Sequence, residues 1–144
     1  MATNDRGWQD ALKFVDDVAA LAERLVTEEA RVAIDSAWPT WTGWSAANNR
    51  VVEGQSSNFP LDPPIRPTQA GALFAEANQA LSEDLATIDQ HVTPGLLAIG
   101  NAVDYSADVG FIPDNGRLIY EEAAKAGTAA GIRRVGSEWQ ALKR

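Results

Sequence analysis

The chain has 144 residues, one histidine, no cysteine and a formal net charge of −8, with 45% apolar and 22% charged residues. That length supports one domain with a real core and leaves no room for two comfortable ones. The missing cysteines exclude disulfides and thiolate metal sites, and the acidic balance argues against a protein that wraps nucleic acid.

No run approaches the roughly 18 uninterrupted apolar residues of a membrane span, so no membrane association is expected. Residues 1–8 lack the apolar stretch of a signal peptide, which fits synthesis in the cytoplasm. The charge is uneven. Residues 1–116 hold six basic and seventeen acidic side chains, and residues 117–144 hold six basic and three acidic ones, balances of −11 and +3. Such asymmetry suits complementary docking between subunits, and equally a basic last helix that complements its own dipole.

Residues 5–37 carry the clearest pattern. Trp8, Leu12, Val15, Val18, Leu21, Leu25 and Val32 recur at three- or four-residue spacing, widened by Ala11, Ala19, Ala22 and Ala33. Charged residues from Asp10 to Arg31, including Glu23, Arg24, Glu28 and Glu29, are expected on the remaining surface. A helix of about 30 residues is about 45 Å long, so part of its stripe is expected to pack on something outside its own subunit.

Residues 38–54 form an aromatic elbow, with Trp38, Trp41 and Trp44 around Pro39 and Gly43. Pro39 disfavours helix at Trp38 and ends the first element, Gly43 permits a tight turn, and residues 45–53 read as a strand. Residues 55–67 contain four prolines and read as an extended connection, pinned to the fold by Phe59, Leu61 and Ile65, with part of 59–66 as a further strand. Thr68 is an N-cap candidate for a second amphipathic helix over 68–90. His91 follows; with no cysteine and no second histidine it reads as a surface or helix-end residue, not a metal ligand.

The apolar run 96–103 reads as a buried strand. Residues 111–116 read as a loop with Asp114 or Asn115 capping a last helix over 115–142, whose weaker stripe includes Leu118, Ile119, Ala123, Val135 and Trp139. Gly127 and Gly131, four apart in that helix, suggest close approach of another backbone, at about 1 kcal/mol each in helix propensity.

Catalytic constellations are weak. Any Ser–His site would have to use His91, and the phosphate-binding and dinucleotide-binding glycine motifs are absent. The paired carboxylates Asp16–Asp17, Glu28–Glu29, Glu83–Asp84 and Glu121–Glu122 read as solvated helix faces. The expectation is a non-enzyme with no catalytic residue, cofactor or metal.

Two segments carry a family resemblance. Pro39, Thr42, Gly43, Ser45 and Asn48 keep the spacing of a segment that follows the first long helix of tailed-phage neck, or tail-completion, proteins of the HK97 gp10-like (lambda Z-like) type. Asn101, Tyr105, Val109 and Gly110 resemble a second segment of that family, after its second helix. Trp41 and Trp44 replace the family's common aspartate and arginine, and the Glu-x before the last glycine is missing.

The resemblance implies a structural virion protein at the head–tail junction, made in the host cytoplasm. It would be a homo-oligomeric ring, a hexamer or dodecamer, around a channel through which DNA passes without sequence-specific binding. Its partners would be other neck proteins: a head-closure or adaptor protein, a tail terminator or the tail tube. Trp38, Trp41 and Trp44 would anchor the elbow; the basic balance of residues 117–144, and not the resemblance, places Arg133 and Arg134 at an expected docking surface. Two alternatives stand beside it. One is a secreted helical hairpin of the Trp-x-Gly class, suggested by Trp41-Thr42-Gly43; the other is an unrelated protein-binding module. The expected fold is a single α+β domain, with a long N-terminal helix, a central helix and a C-terminal helix around a small, mostly antiparallel sheet.

Overall fold

The computed structural model describes residues 5–38, 43–54, 63–66, 72–103, 111–112 and 117–142. The fold is α+β, with a 33-residue helix α1 (Asp5–Ala37), a single helical turn α2 (Trp44–Ala47), strand β1 (Asn49–Glu53) and helix α3 (Phe74–Asp89). Strand β2 (Leu97–Asn101), the short strands β3 (Phe111–Ile112) and β4 (Arg117–Leu118), and helix α4 (Ile119–Glu138) follow. A 3-10 turn, Trp139–Leu142, closes the chain. β1 and β2 pair antiparallel with Asn49 opposite Asn101 and Val51 opposite Ile99, and β3 and β4 form a separate antiparallel pair.

The core sits at the C-terminal half of α1. Ile34 and Trp38 pack there with Ala46 and Ala47 of the elbow, Leu73 and Ala77 at the start of α3, and Ile119 and Ala123 at the start of α4. Burying such aliphatic and aromatic surface is worth about 25 cal/mol per Å² removed from water, and the cluster joins α1, α2, α3 and α4.

α4 runs along α1 at very short range. A methyl group added at Gly127 would stand 2.7 Å from the backbone nitrogen of Ala30, and one at Gly131 would stand 2.7 Å from Cα of Val26. Only glycine lets the two backbones come this close, the approach that the glycine spacing predicts. Arg134 closes the seam with contacts of 3.3 Å to Glu28, 3.1 Å to Glu29 and 3.8 Å to Glu138, and Phe14 meets Trp139 edge to face, ring centroids 6.2 Å apart.

Several boundaries differ from the sequence reading. Residues 44–47 form a helical turn, so the strand begins at Asn49 and not at Ser45. α3 begins at Phe74, with Leu73 as a buried N-cap residue that lends no side-chain bond; Thr68 lies outside the described residues. Residues 63–66 are irregular, and 59–62 lie outside the described residues. Leu118 belongs to β4, so the last helix starts at Ile119. The caps Asp114 and Asn115 also fall outside the description. The common reason is tertiary: strand pairing and core contacts override local propensity at element ends.

No helix among the described residues is long and apolar enough to cross a membrane.

Candidate functional site

The elbow is built by hydrogen bonds from side chains whose backbones cannot pair regularly. Gly43 has φ +81°, a left-handed conformation that side chains resist, and a Cβ there would lie 2.7 Å from the carbonyl carbon of Leu73. The chain can therefore turn under the start of α3 only with glycine at this place. Trp38 is buried, and its indole N–H donates to Ser45 Oγ at 2.9 Å across the turn. A buried indole N–H needs such an acceptor.

Trp44 and Asn48 reach the proline-rich connection. The Trp44 indole donates to the Ile65 carbonyl at 2.8 Å, the Asn48 amide donates to the same carbonyl at 3.1 Å, and Asn48 Oδ1 accepts from the Ile65 N–H at 3.1 Å. Asn48 thus treats Ile65 as a strand would, satisfying its donor and its acceptor, while Ile65 packs on the core. This is the pinned loop expected from the sequence, held at Ile65; Phe59 and Leu61 lie outside the described residues.

Asn101 ties the end of β2 into the same knot. Its amide donates to the Ser45 carbonyl at 2.7 Å and to Asn49 Oδ1 at 2.9 Å, and its own oxygen accepts from the Val103 N–H at 2.9 Å. Gly43, Trp38, Trp44 and Asn101 are therefore brought together. Pro39, Trp41, Thr42, Tyr105 and Gly110 lie outside the described residues. Arg133 is exposed on α4, and Arg134 is engaged within its own chain, clamping α4 to α1.

Two charged groups sit where the sequence reading did not put them. Arg31 and Asp84, expected on solvated faces, are buried and paired at 2.7 Å between Nε and Oδ2. Asp84 Oδ1 also accepts from the Val51 N–H at 3.1 Å, and Arg31 Nη2 makes a longer contact of 3.4 Å with the Asn49 carbonyl. β1 pairs with β2 on one edge, and this ion pair covers the other, occupying groups that would otherwise invite another strand. Burial pushes the Asp84 carboxyl above the usual aspartate range, opposed by the Arg31 guanidinium and the Val51 N–H. A signal existed in the sequence: Asp84 shares a helix face with Ala77, Ala80 and Ile88, and a charge on an apolar face calls for a buried counter-ion.

His91 is at a helix end, as expected, but it is not on the surface; it is 5% exposed. Its Nδ1 lies 3.2 Å from Glu53 Oε1 and its Nε2 lies 3.4 Å from Glu23 Oε2, while Arg24 donates to its carbonyl at 2.7 Å. The two carboxylates stand at opposite ring nitrogens, so they brace the ring and do not converge on a point where an ion would sit. A cleft of about 420 Å³ opens beside it, lined by Glu53, Gln90, His91, Thr93 and Leu96 among others. The arrangement fastens the α3–β2 turn to α1 and β1. Among the described residues no cluster of three or more His, Asp or Glu side chains could hold a metal ion.

Compared with protein-family models, curated proteins and solved structures, the chain gives no match.

One further surface stands out. The first three turns of α1 project beyond the core, with Trp8 67% exposed, Leu12 49% and Val15 61%. These residues lie at i, i+4 and i+7, one apolar stripe of an α-helix.

Proposed function

We propose that this chain is a structural subunit of a tailed-phage neck, joining head to tail as a ring around the DNA channel, and that it acts by assembly and not by turnover. The observation that carries the reading is the knot at Asn101. Asn101, in the second segment that resembles the neck family, bonds the carbonyl of Ser45 in the first, 56 residues away, at 2.7 Å. A bond between one residue of each segment supports a shared architectural role. The antiparallel pair β1–β2 weighs against an all-helical hairpin.

In this reading the elbow holds a rigid corner, and the projecting part of α1 reaches a neighbour. The lumen would draw on the acidic residues 1–116, because like charge keeps phosphates from adhering as DNA passes. Deleting the gene from the phage that encodes it tests the role directly. DNA-filled heads and unattached tails in electron micrographs are the expected result. Infectious tailed particles in normal yield would overturn the assignment.

A further inference from the structure

The bare stripe of α1 lies beside a seam the fold already uses. Val26 and Ala30 face Gly131 and Gly127 of α4, a row that continues by fours through Ala22 and Val18 to Phe14, where Trp139 meets it, while Trp8, Leu12 and Val15 stand on a neighbouring face of the helix. α4 ends at Glu138, and past the Phe14–Trp139 contact nothing among the described residues covers the stripe. About 11 residues of helix, roughly 16 Å, leave this stripe bare.

The charges beside the stripe restrict what can cover it. Asp5 and Asp16 fall on one flank by helical spacing. An antiparallel pairing of this stripe with its own copy would set that acidic flank against itself, which is unfavourable. Past Glu121 and Glu122, which lie one turn before Lys125, the outward face of α4 is basic. Ile132 is 62% exposed there, Lys125 lies one heptad before it and Arg133 beside it, and neither cation has an ion-pair partner among the described residues. Gly136, one turn on, has open space where a Cβ would stand. Unlike Gly127 and Gly131 it meets nothing among the described residues, and it leaves that face flat.

We propose that the projecting stripe Trp8–Leu12–Val15 of one copy docks on the outward α4 face around Ile132, Lys125 and Arg133 of a second copy, head to tail. Two different surfaces then meet, so the contact repeats from copy to copy and closes as a ring when the rotation permits. The apolar area is small beside what a stable dimer buries, so the contact is weak for isolated copies and strengthens when several act together. This rests on the ring reading above for its biological setting, but the contact can be tested without a phage.

The natural chain has no cysteine, so introduced thiols report alone. Ala11 and Ala129 are exposed beside the two surfaces. Purified Ala11→Cys and Ala129→Cys chains are mixed at high concentration under mild oxidation, after melting curves show both fold as the parent does. The mixture is expected to give at least about tenfold more disulfide dimer than either variant alone, the ratio that about 1.4 kcal/mol of preference produces. Arg133→Glu in the second chain should lower that yield, and Asp16→Lys in the first should restore it. Equal yields in the mixture and in the single variants, or dimer from Ala11→Cys alone at the level of the mixture, would overturn the docking. A specific cross-link in a chain whose deletion leaves phage yield normal would overturn the neck role and leave the docking standing.

Discussion

Gly127→Ala and Gly136→Ala make the same chemical change in the same helix and should move stability in opposite directions. Both replace glycine with the best helix former, a gain of about 1 kcal/mol in an exposed helix interior. At Gly136 nothing among the described residues lies within 4 Å of the added methyl, so that gain should appear in full. At Gly127 the methyl would stand 2.7 Å from the nitrogen and 2.8 Å from the Cα of Ala30. Both are backbone atoms of a continuous helix and cannot swing aside as a side chain would. Relief requires α1 and α4 to separate by more than half an ångström, thinning dispersion contacts along the whole seam. Overpacking of this kind costs about 1–3 kcal/mol and sometimes more, enough to cancel the propensity gain. The expected net effect is about 0–2 kcal/mol destabilising at Gly127 against about 1 kcal/mol stabilising at Gly136. Thermal denaturation followed by circular dichroism reads this as melting temperatures moving apart, by about 3 °C per kcal/mol for a domain of this size. Two variants shifting in the same direction would refute the close-packed seam.

Asp84→Asn strands the Arg31 guanidinium in the core and should cost about 3 kcal/mol or more at neutral pH, read by chemical denaturation. Because burial holds the Asp84 carboxyl above the aspartate range, the folded chain binds this proton more tightly than the unfolded chain. That contribution is fully present below the unfolded value of about 3.9 and is lost as pH rises through the folded value. Gly43→Val places a β-branched side chain at φ +81° against the Leu73 backbone and should lose about 1–3 kcal/mol or more, so an unchanged melting temperature would contradict the turn. Asn48→Ala removes both bonds that pair Ile65 and should cost about 2 kcal/mol in the same assay; a loss within error would mean the connection is held elsewhere. Arg134→Glu sets a fourth carboxylate among Glu28, Glu29 and Glu138 and should lower the monomer's melting temperature, whereas Arg133→Glu should leave it unchanged.

Local signals carried the fold class and the first helix. The three- and four-residue apolar spacing from Trp8 to Val32 predicts a helix over 5–37, and the helix runs over those residues, because a long periodic stripe is a signal no single contact can override. The Gly127–Gly131 spacing likewise announces a close backbone approach, since no other residue leaves that room. Gly43 marks a turn because its lack of a Cβ is a local property. Tertiary structure decided the rest. Which of α1's many charges goes inside depends on where the outer edge of β1 falls. Arg31 and Asp84 are 53 residues apart and meet only once that edge is built. His91 is buried because Glu23 and Glu53 arrive from two other elements, and Arg134 turns inward because Glu28 and Glu29 stand opposite it across the seam. Periodicity says which face of a helix is apolar, but not how far the neighbouring helix extends along it. The bare turns carrying Trp8, Leu12 and Val15 could therefore be recognised only after α4 was seen to end.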